Sequence, residues 1–346
     1  MASASAFRLV RHALDRYATT LAGDVGWPYH AGCERHGLGL TLSIEQAFAE
    51  MSGMAPRAVL ITTAELQRMS HGAIILDASW VYPPFNDAHI DVRNRYAEAH
   101  IPGSWFLDLE ALSDPGRRCD PRVEVIALPR REILHAVVTQ TGACLSSPIV
   151  ITDMDGGCTT APFARHTLMD AGYTDVRLLD GGTPAWRHES GATDAEPRYL
   201  DAFERPDPLP ARAEPCRVFA RYDDVVGVLG NRADAQVVDS RAEPSNEGVL
   251  PADYAGLAVP AAVYVSSSGV LEPAGAGLRF KSERELARIF GDAGVDAGRL
   301  KITTCYFGLG ASVVATALEI TAYGPVCVYP GSLVEYAVRR GLVRLS

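Results

Sequence analysis

The feature that most constrains this chain is an internal repeat. Val59-Leu60-Ile61-Thr62-Thr63-Ala64-Glu65-Leu66 precedes Ile74-Ile75-Leu76-Asp77-Ala78-Ser79, and Val218-Phe219-Ala220-Arg221-Tyr222-Asp223-Asp224-Val225 precedes Val237-Val238-Asp239-Ser240-Arg241. Each copy then offers an amphipathic helix ended by glycine: residues 132–138 before Gly142, and residues 285–290 before Gly291. A short apolar strand follows, Ile149-Val150-Ile151-Thr152 in one copy and Lys301-Ile302-Thr303-Thr304 in the other. Next come a small-residue loop, a helix and a closing strand: Val176-Arg177-Leu178-Leu179 into Gly181-Gly182, and Val326-Cys327-Val328-Tyr329 into Gly331.

Short apolar strands alternating with amphipathic helices predict a parallel sheet covered on both faces, so the fold class is α/β with two tandem domains. Residues 56–200 form the first domain and residues 216–346 the second. A proline-rich stretch carrying Pro206, Pro208, Pro210 and Pro215 makes 201–215 a linker. Residues 1–55 belong to neither copy and read as a helical extension. Its Cys33, His36 and His30 fit no standard zinc spacing, which favours a surface or packing role.

Charge and cysteine usage narrow the functions. A net charge of −10 excludes the clustered basic face that nucleic acid requires, and no apolar run reaches the length of a membrane span. The seven cysteines are scattered, odd in number and never in a C-x-x-C pair, which points to a reducing cytosol rather than a disulfide framework. No phosphate-binding or dinucleotide motif is present, so no cofactor is expected. A monomer or homodimer is expected.

Ligands in parallel α/β folds gather where strands end and loops open onto helices. The second copy places Cys305 there, in Thr304-Cys305-Tyr306-Phe307-Gly308-Leu309-Gly310-Ala311, ahead of a helix beginning near Ser312. Gly308 and Gly310 allow successive N–H groups to turn inward as an anion nest, and the helix adds its positive end. Such a cradle is expected to lower a thiol's pKa and to stabilise a persulfide. The alternative is a small buried hydrophobe, as free cysteines often are; that alternative is preferred for the other six. Cys158 lies in the matching loop of the first copy, but two carboxylates stand beside it and Asp153 holds the position of Cys305.

The chain resembles the two-domain rhodanese family, the thiosulfate and 3-mercaptopyruvate sulfurtransferases, from about Pro56 onward. The resemblance is carried by Leu76-Asp77-Ala78-Ser79-Trp80, Arg95-Tyr96-Ala97-Glu98-Ala99-His100-Ile101-Pro102-Gly103-Ser104 and Leu178-Leu179-Asp180-Gly181-Gly182-Thr183-Pro184-Ala185-Trp186. In the second domain it is carried by Val238-Asp239-Ser240-Arg241, Arg279-Phe280-Lys281-Ser282 and Tyr329-Pro330-Gly331-Ser332. It implies that Cys305 attacks a sulfane donor to form a persulfide, so that the expected partners are a small sulfur donor and a thiol or organic acceptor. It further implies that His100 and Asp91 reach across from the first domain as catalytic partners; the alternative for His100 is a cap on its turn.

The sequence departs from the family where substrate would bind. Phe307 stands at the family's serine position and Gly310 at its threonine position. Phe163 and Met169 replace first-domain arginines, and Pro244-Ser245-Asn246-Glu247 replaces one in the second. Arg165 lies nearby on the same helix, and Arg241 and Ser332 complete the set expected around the loop. A small anion needs fixed cations, so these losses imply a larger, less polar substrate in a pocket lined by Tyr306, Phe307 and Leu309. Two further readings stay open: cysteine chemistry other than sulfur transfer, and a silent binding or regulatory protein.

Overall fold

The computed structural model describes residues 58–69, 72–81, 90–124, 126–200, 218–242 and 250–345. The expected extension, the linker and residues 244–247 lie outside the described residues.

The first unit runs β1 (Leu60–Ile61), α1 (Thr63–Met69), β2 (Ile74–Asp77), α2 (Val92–Glu98), β3 (Trp105–Phe106), α3 (Leu109–Leu112), α4 (Arg131–Thr139), β4 (Pro148–Thr152), α5 (Ala161–Ala171), β5 (Asp175–Leu179) and α6 (Gly182–Glu189). Its strands form one parallel sheet in the order β1-β5-β4-β2-β3. β4 reads Ile-Val-Ile because helices cover both faces; Ile149, Val150 and Ile151 are all buried. Proline in the first turn of α5 and left-handed Gly172 at its end fix that helix's limits.

The second unit runs α7 (Tyr222–Leu229), β6 (Ala235–Asp239), β7 (Val263–Tyr264), β8 (Leu271–Ala274), β9 (Gly277–Phe280), α8 (Glu283–Asp292), β10 (Leu300–Thr304), α9 (Leu309–Ile320), β11 (Val326–Val328) and α10 (Ser332–Arg339). Four strands pair in parallel as β11-β10-β6-β7, and Phe219 bridges the outer side of β11 just as β1 flanks β5. The order of the first sheet is therefore repeated. β8 and β9 form a separate antiparallel hairpin, and a reciprocal Ser282–Glu285 capping box starts α8. No helix among the described residues is long and apolar enough to cross a membrane.

The two units meet along α5 and α9. Arg165 of α5 pairs with Glu319 of α9, and His166 Nε2 lies 3.3 Å from the same carboxylate. Hairpin β8–β9 reaches the other way, where the Leu278 amide donates to the Asp155 carbonyl at 2.8 Å. Gly156 must be glycine there: its φ is +123°, and an added Cβ would sit 1.8 Å from the Leu278 carbonyl oxygen. Tyr254 Oη donates to Asp120 at 2.8 Å, and Arg122 bridges Asp120 and Asp253.

Candidate active site

β10 is buried along its whole length and delivers Cys305 directly from its carboxyl end. The loop turns through Gly308, whose φ of +105° places it in the left-handed region; an added Cβ would meet the Pro330 oxygen at 2.9 Å. Only glycine allows both the turn and the approach of the Pro330 backbone. The turn aims the Gly308 amide at the Cys305 sulfur, 3.1 Å away, and the amides of Ala311 and Phe307 also act on it. α9 begins at Leu309, three residues before the expected start, so Ala311 donates from its first turn, with Gly308 as its N-cap and Phe307 just ahead of it. Ser332 supports the base: its hydroxyl accepts from the Cys305 amide at 3.0 Å and donates to the Tyr329 carbonyl at 2.7 Å. With its single proton so committed, the 3.9 Å contact from Ser332 Oγ to the sulfur is weak.

The first unit holds the same arrangement with its charge already in place. Asp153 follows β4 as Cys305 follows β10, and its carboxylate accepts from the amides of Asp155, Gly157, Thr159, Thr160 and Ala161 at 2.8–3.1 Å. That nest is filled by the protein itself. Cys158 beside it is fully buried, and its thiol is pushed well above the ordinary range by burial and by Asp153, Asp155 and Asp180.

A cavity of about 150 Å³ lies between the units, bordered by Phe307 of the Cys305 loop but not by Cys305 itself. Phe307 and Gly331 come from the second unit, Phe163 from α5, and Arg117, Cys119, Glu124, Ile126 and Leu128 of the first unit close it. Two carboxyls stand in its wall. Glu124 is pushed up to about 7 by burial, with the charge of Glu335 adding to the effect despite amide donors from Asp120 and Cys119. Burial also raises Glu335, even though it pairs with Arg339. Arg117 is already engaged with Asp114 at 3.5 Å and the Pro129 carbonyl at 3.3 Å.

A rhodanese-like domain model matches residues 64–189. Human 3-mercaptopyruvate sulfurtransferase is 30% identical over 270 residues, covering 77% of this chain and 85% of that protein. The chain belongs to the two-domain rhodanese family. A putative thiosulfate sulfurtransferase, SseB, of Mycobacterium tuberculosis is 30% identical over 290 residues, covering 81% of this chain and 94% of its own length. The crystal structure of SseA, a 3-mercaptopyruvate sulfotransferase from Escherichia coli, superposes with a TM-score of 0.61 at 26% identity, covering 80% of this chain and 99% of that one.

Within this rhodanese framework several sequence expectations need correction. Asp91 is exposed and caps α2, accepting from the Asn94 amide; its carboxylate is spent on helix geometry. His100 is buried against its own unit: Nδ1 lies 2.7 Å from the Tyr96 carbonyl, and the ring stacks on Tyr96 at 4.2 Å. This is the turn-capping alternative. Arg165 meets Glu319 and the Val176 carbonyl, so it joins the units instead of facing substrate. Arg241 is tied to Asp239 and the Leu257 carbonyl, a buried staple within the second unit. Asp153 cradles no substrate, because it occupies its own nest, and its loop faces hairpin β8–β9.

Of the three expected lining residues, only Phe307 borders the cavity; Phe163, placed by the family comparison, joins it. Tyr306 is buried and Leu309 opens α9, while Gly310 packs its Cα side against the Ser240 carbonyl and Ser267. The Cys305 thiol itself lies above its ordinary value of 9.0, not below it. Burial outweighs the amides of Ala311, Gly308 and Phe307 because the sulfur is almost wholly removed from water. Cys119, Glu124 and Glu335 were not foreseen: the 117–128 segment has no periodicity to place it over another domain's loop. Among the described residues, no group of three or more His, Cys, Asp or Glu side chains could hold a metal.

Proposed function

We propose that Cys305 carries sulfur as a persulfide and exchanges it with a small, largely apolar organic substrate. The Cys305 thiolate attacks the donor's sulfane sulfur; the new S–S bond forms as the donor leaves with the electron pair of the broken bond. A thiol or other organic nucleophile then takes the outer sulfur and returns Cys305 as thiolate. The observation that carries this reading is the convergence of the Gly308, Phe307 and Ala311 amides on the Cys305 sulfur at the head of α9. Asp153 supports it, because the same backbone arrangement in the first unit holds a full negative charge.

The cavity supports the substrate class. Its walls combine Phe163, Phe307, Ile126 and Leu128 with Glu124 and Glu335, and its one arginine is already paired. At about 150 Å³ the cavity accommodates a molecule about the size of benzene. Thiosulfate and mercaptopyruvate, after which the relatives are named, are anions, and here they would meet carboxyl groups. An anion would also hold a buried thiol further from ionisation, whereas a neutral organic donor would not. The five cysteines among the described residues are free, which suits a reducing cytosol.

Intact mass spectrometry with peptide mapping, after incubation with thiosulfate, 3-mercaptopyruvate and a neutral aryl hydropersulfide in turn, tests the reading. One sulfur atom gained on Cys305 from the hydropersulfide, with little from thiosulfate, is the expected result. Absence of added sulfur on Cys305 from every donor would refute it.

A further inference from the structure

The cavity bordered by Phe307 has a counterpart on the first unit. In both units a closing strand passes through a glycine turn into a short helix, β5 into α6 and β11 into α10, and that helix borders a hollow completed by the other unit. The hollow beside α6 is the larger, about 330 Å³. Pro184, Ala185 and Glu189 of α6 form one wall; Glu272, Pro273 and Arg279 of hairpin β8–β9 form the other. Asp153 already fills the nest behind it, so no nucleophile serves this hollow.

Its unusual member is Arg279. Among the described residues its guanidinium makes no hydrogen bond and no ion pair, and its buried Nε has no partner. The guanidinium runs alongside Gly181: a Cβ added to that glycine would lie 3.5 Å from Nη2. Nε is the nitrogen shut off from water, while the terminal nitrogens have no protein partner and border the hollow, and a bidentate carboxylate is the group that best satisfies such a fork. The surroundings nevertheless disfavour a simple anion. Asp180, partly buried behind Gly181, lies within electrostatic range of Arg279, Glu189 and Glu272 alike. Only His188, at the exposed rim, could add a second cation. A simple cation would satisfy the acids and leave Arg279 bare. A ligand bearing both charges a few ångströms apart satisfies both walls.

We propose that this hollow is a second ligand site that takes a small α-amino acid as its zwitterion. Its carboxylate pairs with Arg279, its ammonium faces Glu189 and Glu272, and its side chain rests on Pro184, Ala185 and Pro273. The site is distinct from the cavity bordered by Phe307 and does not depend on the sulfur chemistry. Because α6 and the hairpin belong to different units, a bound amino acid also bridges them.

Saturation-transfer NMR and calorimetric titration of the full chain with glycine, L-alanine and L-valine test this, with acetate and ethylamine as single-charge controls. The expected result is saturable binding of at least one amino acid, about tenfold or more tighter than either control. Arg279→Gln should weaken it by about tenfold or more, Arg279→Lys by less, and Glu272→Gln measurably, with circular dichroism verifying the fold of each variant. Sulfur loading of Cys305, read by mass, should be unchanged in all three, so the two proposals fail separately. No saturable binding, binding of acetate as tight as the amino acids, or undiminished binding in a folded Arg279→Gln protein would overturn the assignment.

Discussion

Replacing Glu319 with glutamine removes an anion that faces the Arg165 guanidinium and the His166 ring across the α5–α9 contact. Burial alone pushes the Glu319 carboxyl up, but the charges of Arg165 and His166 and their hydrogen bonds more than offset it, bringing it from 4.5 to about 2. At about 1.4 kcal/mol per pH unit, that displacement is worth about 3 kcal/mol at neutral pH. A second route gives a similar figure: the Arg165 side chain is only 7% exposed, and a buried charge that loses its partner typically costs about 3–5 kcal/mol. The two figures describe one effect and do not add. Glutamine keeps one acceptor for Arg165, so about 3 kcal/mol is expected.

Urea unfolding of both proteins, followed by tryptophan fluorescence from pH 8 to pH 3, measures this. A depressed carboxylate contributes fully above its unfolded value near 4.5 and loses that contribution as pH falls toward about 2. The difference between the proteins should therefore stay constant from neutral pH to about pH 5 and shrink below it. Arg165→Met in the Glu319→Leu background should recover much of the loss, since apolar replacement of a whole buried pair is often neutral. A Glu319→Gln protein within about 1 kcal/mol of the parent at pH 7, or a gap that persists undiminished at pH 3, would refute the reasoning.

Three further outcomes are expected. Cys305→Ser should abolish turnover while Cys158→Ser leaves it nearly intact, as steady-state assays of both would show; equal loss would mean the first unit is catalytic too. Iodoacetamide at pH 7 should label exposed Cys144 before Cys305: neighbouring Ser146 and Ser147 hydroxyls lower Cys144 to about 7, while burial raises Cys305. Peptide mapping across pH reads both sites, and Cys305 labelling should still be rising at pH 9. Thiosulfate:cyanide activity should be two to four orders of magnitude below a charge-lined site, since two missing charge-assisted contacts are worth about 1.5–3 kcal/mol each. Because Glu335 would capture a lone lysine in the cavity, Phe307→Lys with Glu335→Gln should regain part of it, whereas Phe307→Lys alone should not.

The sequence by itself determined what repeats locally. Apolar runs such as Ile149-Val150-Ile151, bounded by glycine turns and amphipathic helices, can be satisfied only by a parallel sheet covered on both faces, and their recurrence demanded two of them. The placement of Cys305 was legible for the same reason, since a strand end opening through glycine onto a helix is a local pattern that carries its own donors. The tertiary structure decided everything that depends on which surfaces meet. Arg165 reads as a candidate substrate ligand until Glu319, on a helix 154 residues away in sequence, is seen to claim it. Asp91 and His100 read as catalytic until their partners prove to be Asn94 and Tyr96 of their own turns. The Cys305 thiol shows the balance most plainly: its amide donors follow from the loop sequence, but the burial that outweighs them comes from the packing of the whole chain around it. Desolvation and electrostatic pairing depend on distances through space, and no spacing along the chain encodes them.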